Sequence, residues 1–355
     1  MEKKKIVFLY SELANYFLAC VEKLIQIADL EVHIVRWPIN KEAPFNFNFS
    51  KDIIIHDIEQ YSEYNKLQEL IIGINPSLIF CSGWVDKGYL KICRKFKKQI
   101  PVIVGIDNHW KASVRQFIAT LISPFRILNH FTHCWVPGQL QYDYAKRLGF
   151  KSQNILTGFY SCDYDFFNQE YNLNRKQKAD SFPHRFIFVG RYVESKGIQD
   201  LWSAFIEVQE EKENNWELWC LGTGDIPLIQ HPKIKHFGFI QPNQLTEYLK
   251  LTGVFVLPSH FEPWGVVIHE FASAGFPIIC SDKVGARVDF VEDNYNGYVY
   301  PSGNIVELKN TLRNMMNKSN DELNLMGERS TVLAKKITPE VWSTKLLDVL
   351  NQYKY

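Results

Sequence analysis

Short apolar runs separated by helical patterns recur along the whole chain, and no other property of the sequence restricts its fold as tightly. In the first half, residues 6–10, 31–35, 53–56, 78–81, 102–106 and 134–137 read as strands. The segments HRFIFVG, WELWCLGTGD, IKHFGFI, VFVLP, PIICSD and NGYVYP continue the pattern in the second half, with helical stretches such as IQDLWSAFIEV and LTEYLKL between them. Strands that alternate with helices predict parallel sheets wrapped on both faces. A polar, turn-rich stretch at residues 161–184 marks the expected boundary between two domains, and 355 residues suffice for two full cores.

One strand, loop, helix unit stands out, residues 255–282, FVLPSHFEPWGVVIHEFASAGFPIICSD. The helix is expected to begin at Trp264 or Gly265 and to end at Gly275, and it is apolar nearly all round, so it should be buried. Glu270 is the exception within it. A carboxylate there is costly unless ligand hydroxyls bond to it, or unless it reaches the surface or pairs with a lysine. Glu262 precedes the helix, where the amides of Gly265, Val266 and Val267 lack intrahelical acceptors and the helix dipole favours an anion. A solvated loop position or a cap is the plainer reading of Glu262.

Upstream, Arg191 and Lys196 flank a strand-end loop, with Gly190 giving the turn and Ser195 placed to cap the next helix. Two cations beside a helix N-terminus suit a diphosphate, with Arg as a fork and Lys as a point charge. Gly222 and Thr223 lie in a glycine loop after the next strand, where a nucleotide could approach the backbone closely. In the first half, Asp107 and His109 follow the fifth strand, at the carboxyl end where open parallel sheets bind ligands. Capping of the following helix by Asp107 and a satisfied surface position for His109 are the competing readings.

The Glu262-x7-Glu270 spacing, the Glu-Pro-x-Gly start and the string VGRYVESKG resemble retaining glycosyltransferases of the GT-B fold, in particular glycosyltransferase family 4, the glycosyl transferases group 1. The resemblance is specific over residues 185–315 and architectural over residues 1–160. It implies two Rossmann-like domains facing across a cleft, with a last helix that crosses back to the first domain. The expected division is residues 1–165, with 340–355 packing back on them, as an acceptor domain, and residues 166–339 as a nucleotide-sugar donor domain. Arg191 and Lys196 would hold the diphosphate, Glu270 the ribose hydroxyls, Glu262 hydroxyls of the transferred sugar, and the amides of Gly265, Val266 and Val267 the diphosphate and sugar. Gly222 and Thr223 would approach the nucleotide, and backbone groups near Ile240 would read the base. His109 or Asp107 would position the sugar from the first domain. Pro263 and Trp264 replace smaller family residues and are expected to narrow the sugar pocket, and the absence of glycine from Ser11 to Asn15 departs from the family's first-domain loop.

The implied reaction transfers a sugar from a nucleotide diphosphate sugar to an acceptor hydroxyl with retention, without a metal or other cofactor. Bacterial surface polysaccharide assembly, such as capsule or O-antigen, is the expected setting, with a glycan or lipid-linked acceptor. A sugar phosphorylase, a nucleotide-sugar epimerase and a non-catalytic transferase partner are the alternatives. The net charge of +1 gives no field for nucleic acid. The seven cysteines form no C-x-x-C pair and read as reduced thiols of a cytoplasmic protein. No run has the length of a membrane span. Six positive charges in residues 87–99 suit either a peripheral contact with the inner face of an anionic membrane or a solvated helix face. The apolar stretch at residues 115–129 is expected to pack inside the protein rather than anchor it.

Overall fold

A computed structural model describes residues 3–38, 47, 49–61 and 63–353. Its strands are Lys4–Tyr10 (β1), Leu30–Arg36 (β2), Ile53–Asp57 (β3), Leu78–Cys81 (β4), Val102–Gly105 (β5), His133–Val136 (β6), Ile155–Thr157 (β7), Arg185–Val189 (β8), Glu217–Leu221 (β9), Ile234–His236 (β10), Val254–Leu257 (β11), Ile278–Ser281 (β12) and Gly297–Tyr300 (β13). Between them run Asn15–Ile27 (α1), Tyr64–Ile74 (α2), Lys87–Phe96 (α3), Val114–Arg126 (α4), Gln139–Arg147 (α5), Tyr164–Asp180 (α6), Ile198–Glu211 (α7), Thr246–Leu251 (α8), Val266–Ser273 (α9), Arg287–Phe290 (α10), Ile305–Met316 (α11), Asn320–Ala334 (α12) and Pro339–Gln352 (α13). Two compact units result, Met1–Ser161 together with Ile337–Tyr355, and Cys162–Lys336.

The first unit holds a parallel seven-stranded sheet in the order β3-β2-β1-β4-β5-β6-β7. Its strands are apolar on both faces because helices cover both, and β4, β5 and β6 are buried end to end. The last helix belongs to this unit. Thr338 caps α13 by accepting from the Val341 amide, and Pro339 occupies the first turn, where its missing N–H costs nothing. Trp342 then enters the core, stacked on Trp135 at 4.7 Å, while its indole N–H donates to the Phe159 carbonyl at 2.9 Å.

The second unit carries a parallel six-stranded sheet in the order β10-β9-β8-β11-β12-β13. Both units are thus Rossmann-like α/β domains, the α/β class and GT-B type expected of the sequence. In the second, β8 and β11 are neighbours although β9 and β10 lie between them in the chain. The strand order reverses there, and the loops that leave the carboxyl ends of β8 and β11 open onto that point.

Three local expectations need correction. The segment expected as a turn-rich boundary contains α6, a helix whose Asp163 cap accepts from the Phe166 amide; most of its polar residues face solvent, while Phe167, Glu170 and Lys178 are buried. The strand expected through IKHFGFI stops at His236, because Gly238 takes a left-handed backbone (φ 73°) and its carbonyl accepts from the Gly222 amide. The stretch expected to pack inside forms α4, on which only Ser123 is buried.

Candidate functional site

The site of the second unit is built by two loops joined through their backbones. After β8 the chain turns through Gly190 and a single 3-10 turn, Glu194–Lys196, into α7. Gly197 ends that turn at φ 64°, and a Cβ there would stand 2.2 Å from the Pro258 carbonyl oxygen, so only glycine lets this loop lie on the loop after β11. The Ser195 carbonyl accepts from the amides of His260 at 2.9 Å and Phe261 at 3.3 Å. Ser195 therefore braces the second loop through its backbone and does not cap α7, whose N-cap is Gly197.

That join brings Lys196 onto Glu262. The ammonium donates to Glu262 Oε2 in an ion pair whose members keep 21% and 13% of their side-chain surface exposed, so each is still reachable by a ligand. The Glu262 backbone is fixed in turn: its amide donates to the Lys283 carbonyl and its carbonyl accepts from Gly285. Gly265 caps α9 at φ 89°, and a Cβ on it would lie 2.9 Å from Glu262 Cγ. Glu262 thus lies directly against the start of α9, where the first-turn amides belong to Val266 and Val267.

Glu270 sits in α9 one turn further on, half-buried, and among the described residues no cation pairs with it. Burial, and secondly the carboxylate of Asp163, push its acid up to about 7. The neighbouring His269 has a different role. Its Nδ1 accepts from the Cys162 amide, its Nε2 meets the Ala334 carbonyl at 3.0 Å, and its ring stacks on Phe290. Burial pushes it down to about 4, so it is a neutral structural histidine.

The remaining expected donor residues lie along the same sheet edge. Arg191 is exposed just beyond the end of β8. The Gly222 amide donates to Gly238, the Tyr192 amide donates to the Thr223 carbonyl, and a Cβ on Gly222 would stand 1.9 Å from the Gly190 carbonyl oxygen. Thr223 is exposed and Ile240 half-buried. Trp264, expected to narrow a sugar pocket, is buried against Phe290 instead. A wide apolar ring beside a buried helix start gains more from the core than from solvent.

In the first unit, Asp107 and His109 follow β5. Tyr160 donates to Asp107 Oδ2 at 3.4 Å, Asn108 donates to Oδ1, and the His109 carbonyl accepts from Gln116. Asp107 does not cap α4; Ser113 does, by accepting from the Gln116 amide.

Sequence reasoning missed the braces. His260 Nε2 lies 2.7 Å from Asp200 Oδ2 and ties the β11 loop to α7, and Asp163 faces Glu270 from the start of α6. Only the glycine after Lys196 signalled such a contact.

Residues 170–331 match the profile of the family described as glycosyl transferases group 1. The matched span lies within the second unit. It contains Arg191, Lys196, Glu262 and Glu270. An uncharacterised glycosyltransferase of Methanocaldococcus jannaschii is 25% identical over 94% of this chain and 93% of its own length. The lipopolysaccharide 1,6-galactosyltransferase of Escherichia coli K12 is 29% identical over 34% of this chain and 36% of its own. Apart from the M. jannaschii protein just named, the chain spans between 28% and 41% of the curated relatives it matches. Among solved structures, Anabaena HepE in complex with UDP superposes with a TM-score of 0.70 at 13% identity, over 98% of this chain and all of that one, which shows a shared fold.

Proposed function

We propose that the second unit, which matches the glycosyl transferases group 1 profile, holds a nucleotide diphosphate sugar and that the chain transfers its sugar, with retention of configuration, to an acceptor hydroxyl. The observation that carries this reading is the meeting of Lys196, Glu262 and the Gly265-led start of α9 at the point where the strand order reverses. An ammonium and helix-end amides together suit a diphosphate, and a carboxylate beside them suits sugar hydroxyls.

On this reading Lys196 and Arg191 stabilise the charge that grows on the leaving diphosphate as the sugar gains oxocarbenium character. The ion pair to Glu262 keeps Lys196 aimed before the donor arrives. Glu262 then turns to the hydroxyls of the transferred sugar and Glu270 to the ribose. Gly222, Thr223 and the backbone near Ile240 line the nucleoside, and Asp107 or His109 contributes from the first unit to positioning the sugar. The two cations and the helix terminus do what a metal ion does in other transferases, so the reaction is proposed to run without one. Similarity to a lipopolysaccharide galactosyltransferase supports a role in bacterial surface polysaccharide assembly, on the cytoplasmic side of a membrane.

The test is a panel of UDP- and GDP-sugars offered with glycan acceptors, with the anomeric configuration of the product read by NMR. Transfer with retention, reduced at least about a hundredfold in Lys196→Ala, is expected, because loss of one preorganised stabilising group costs about 3 kcal/mol. Inversion, or epimerised donor without transfer, would replace this reading by another.

A further inference from the structure

Helix α4 is built the wrong way round for a helix that serves only its own core. Val114, Phe117, Ile118, Leu121, Ile122 and Phe125 recur at helical spacing and form one stripe. In a water-soluble domain that stripe would face inward. Here all six are exposed, Leu121 by 78% and Phe125 by 77%. The inward side is made of small residues: Ser123 is buried and donates to the Leu148 carbonyl at 2.6 Å, and Ala119 packs against the first unit's core. Single exposed apolar residues need no explanation, but a continuous stripe of large ones marks a contact surface.

The charge around the stripe indicates what covers it. Arg115 and Arg126 stand three turns apart on the same side of α4, both exposed, and border Ile118 and Ile122. Arg147 lies over the Trp110 ring at 4.8 Å, and Trp110 meets Phe117 edge to face at 4.9 Å, which places a third cation beside the stripe. Lys97 donates to the Leu128 carbonyl just beyond the end of α4, and Lys97 and Arg94 both push the protonation of nearby His130 downward, after burial. From residue 108 to residue 133 the sequence has no aspartate or glutamate. A second protein surface would need acids to answer these cations and apolar groups to answer the stripe, all in register. An anionic bilayer offers both without register, phosphate outside and hydrocarbon beneath.

We propose that α4 lies in the surface of an anionic lipid bilayer, with Phe117, Leu121 and Phe125 in the acyl boundary and Arg115, Arg126 and Arg147 at the headgroups. This moves the membrane contact away from α3, whose apolar residues Tyr89, Ile92, Cys93 and Phe96 are spent on the core and leave only charge outside. Among the described residues no helix is long and apolar enough to cross a membrane, so α4 rests on the bilayer and does not span it. The surface stands whether or not the transferase reading does.

The experiment is co-sedimentation of the full chain with vesicles of phosphatidylcholine alone or mixed with phosphatidylglycerol, with no nucleotide or sugar present. Wild type is expected to bind the mixed vesicles and to be released as salt is raised. Leu121→Ser with Phe125→Ser should weaken that partition by roughly tenfold or more for each side chain withdrawn from lipid, without lowering the melting temperature, since both are exposed. Arg115→Gln with Arg126→Gln should weaken binding to the mixed vesicles and remove its salt dependence. Unchanged binding in both double variants, or loss of binding only in a Lys95→Gln, Lys98→Gln variant of the neighbouring helix region, would overturn the assignment to α4. So would a wild-type dimer in sedimentation velocity that Leu121→Ser, Phe125→Ser dissociates while vesicles bind neither form, because the stripe would then be covered by a second copy.

Discussion

Replacing Glu270 by Gln should make the ligand-free protein more stable above neutral pH and leave it unchanged in acid. Burial and Asp163 raise the Glu270 acid from its ordinary 4.5 to about 7. Between those values the folded state holds a proton that the unfolded state has lost, so stability falls as pH rises through that window and the full penalty stands above about pH 7. The shift corresponds to about 3 kcal/mol, which partial exposure of the side chain reduces to about 2. For a domain of this size that is about 4 to 8 °C in melting temperature. Gln keeps the shape and carries no charge, so the melting-temperature gap between Glu270→Gln and wild type should grow from near zero at about pH 4.5 to its full value at about pH 8. Scanning calorimetry of both proteins across that range reads the gap directly. A gap independent of pH, or a variant that melts lower at high pH, would refute a half-buried carboxylate without a cation partner at this position.

Three further outcomes follow from the same geometry. Gly197→Ala should cost more than about 2 kcal/mol and part the Lys196 loop from the β11 loop, because the new methyl meets the Pro258 carbonyl in a left-handed backbone; urea unfolding and loss of nucleotide binding together report it. His269 is held neutral by burial down to about 4, so between pH 6.5 and 4 the second unit should lose up to about 3 kcal/mol that a His269→Gln variant does not lose, read as a flatter acid limb in unfolding midpoint against pH. Trp342→Ala should destabilise the first unit by about 3 to 5 kcal/mol by emptying the space against Trp135, although the residue lies near the chain's end; a first unit that melts unchanged would remove α13 from its core.

Much of the fold was legible because buried parallel strands leave a plain mark. The apolar runs over β4, β5 and β11 coincide with the observed strands to within a residue or two. The seventh strand, Ile155–Thr157, is not legible because it is short and only Ile155 is buried, so its sequence carries little apolar signal. Helix α6 was hidden for the opposite reason, since its wet surface supplies the same polar residues that a loop would. Of the site, the glycine before α9 and the cation-glycine pair at Lys196 and Gly197 could be read directly, as each answers a demand of local backbone geometry. The ion pair of Lys196 with Glu262 could not, because it depends on two backbone hydrogen bonds from Ser195 to a loop more than sixty positions away. The outward stripe of α4 was misread because periodicity reports that a helix has an apolar face and is silent on which way that face is turned.

Isothermal titration of UDP and GDP into wild type, Lys196→Ala and Glu270→Gln tests the central claim most directly, that the second unit grips a nucleoside diphosphate through these two residues. Saturable binding of at least one of them to wild type is expected, weakened about tenfold or more in each variant. Absence of binding to wild type, or equal binding by all three proteins, would contradict it.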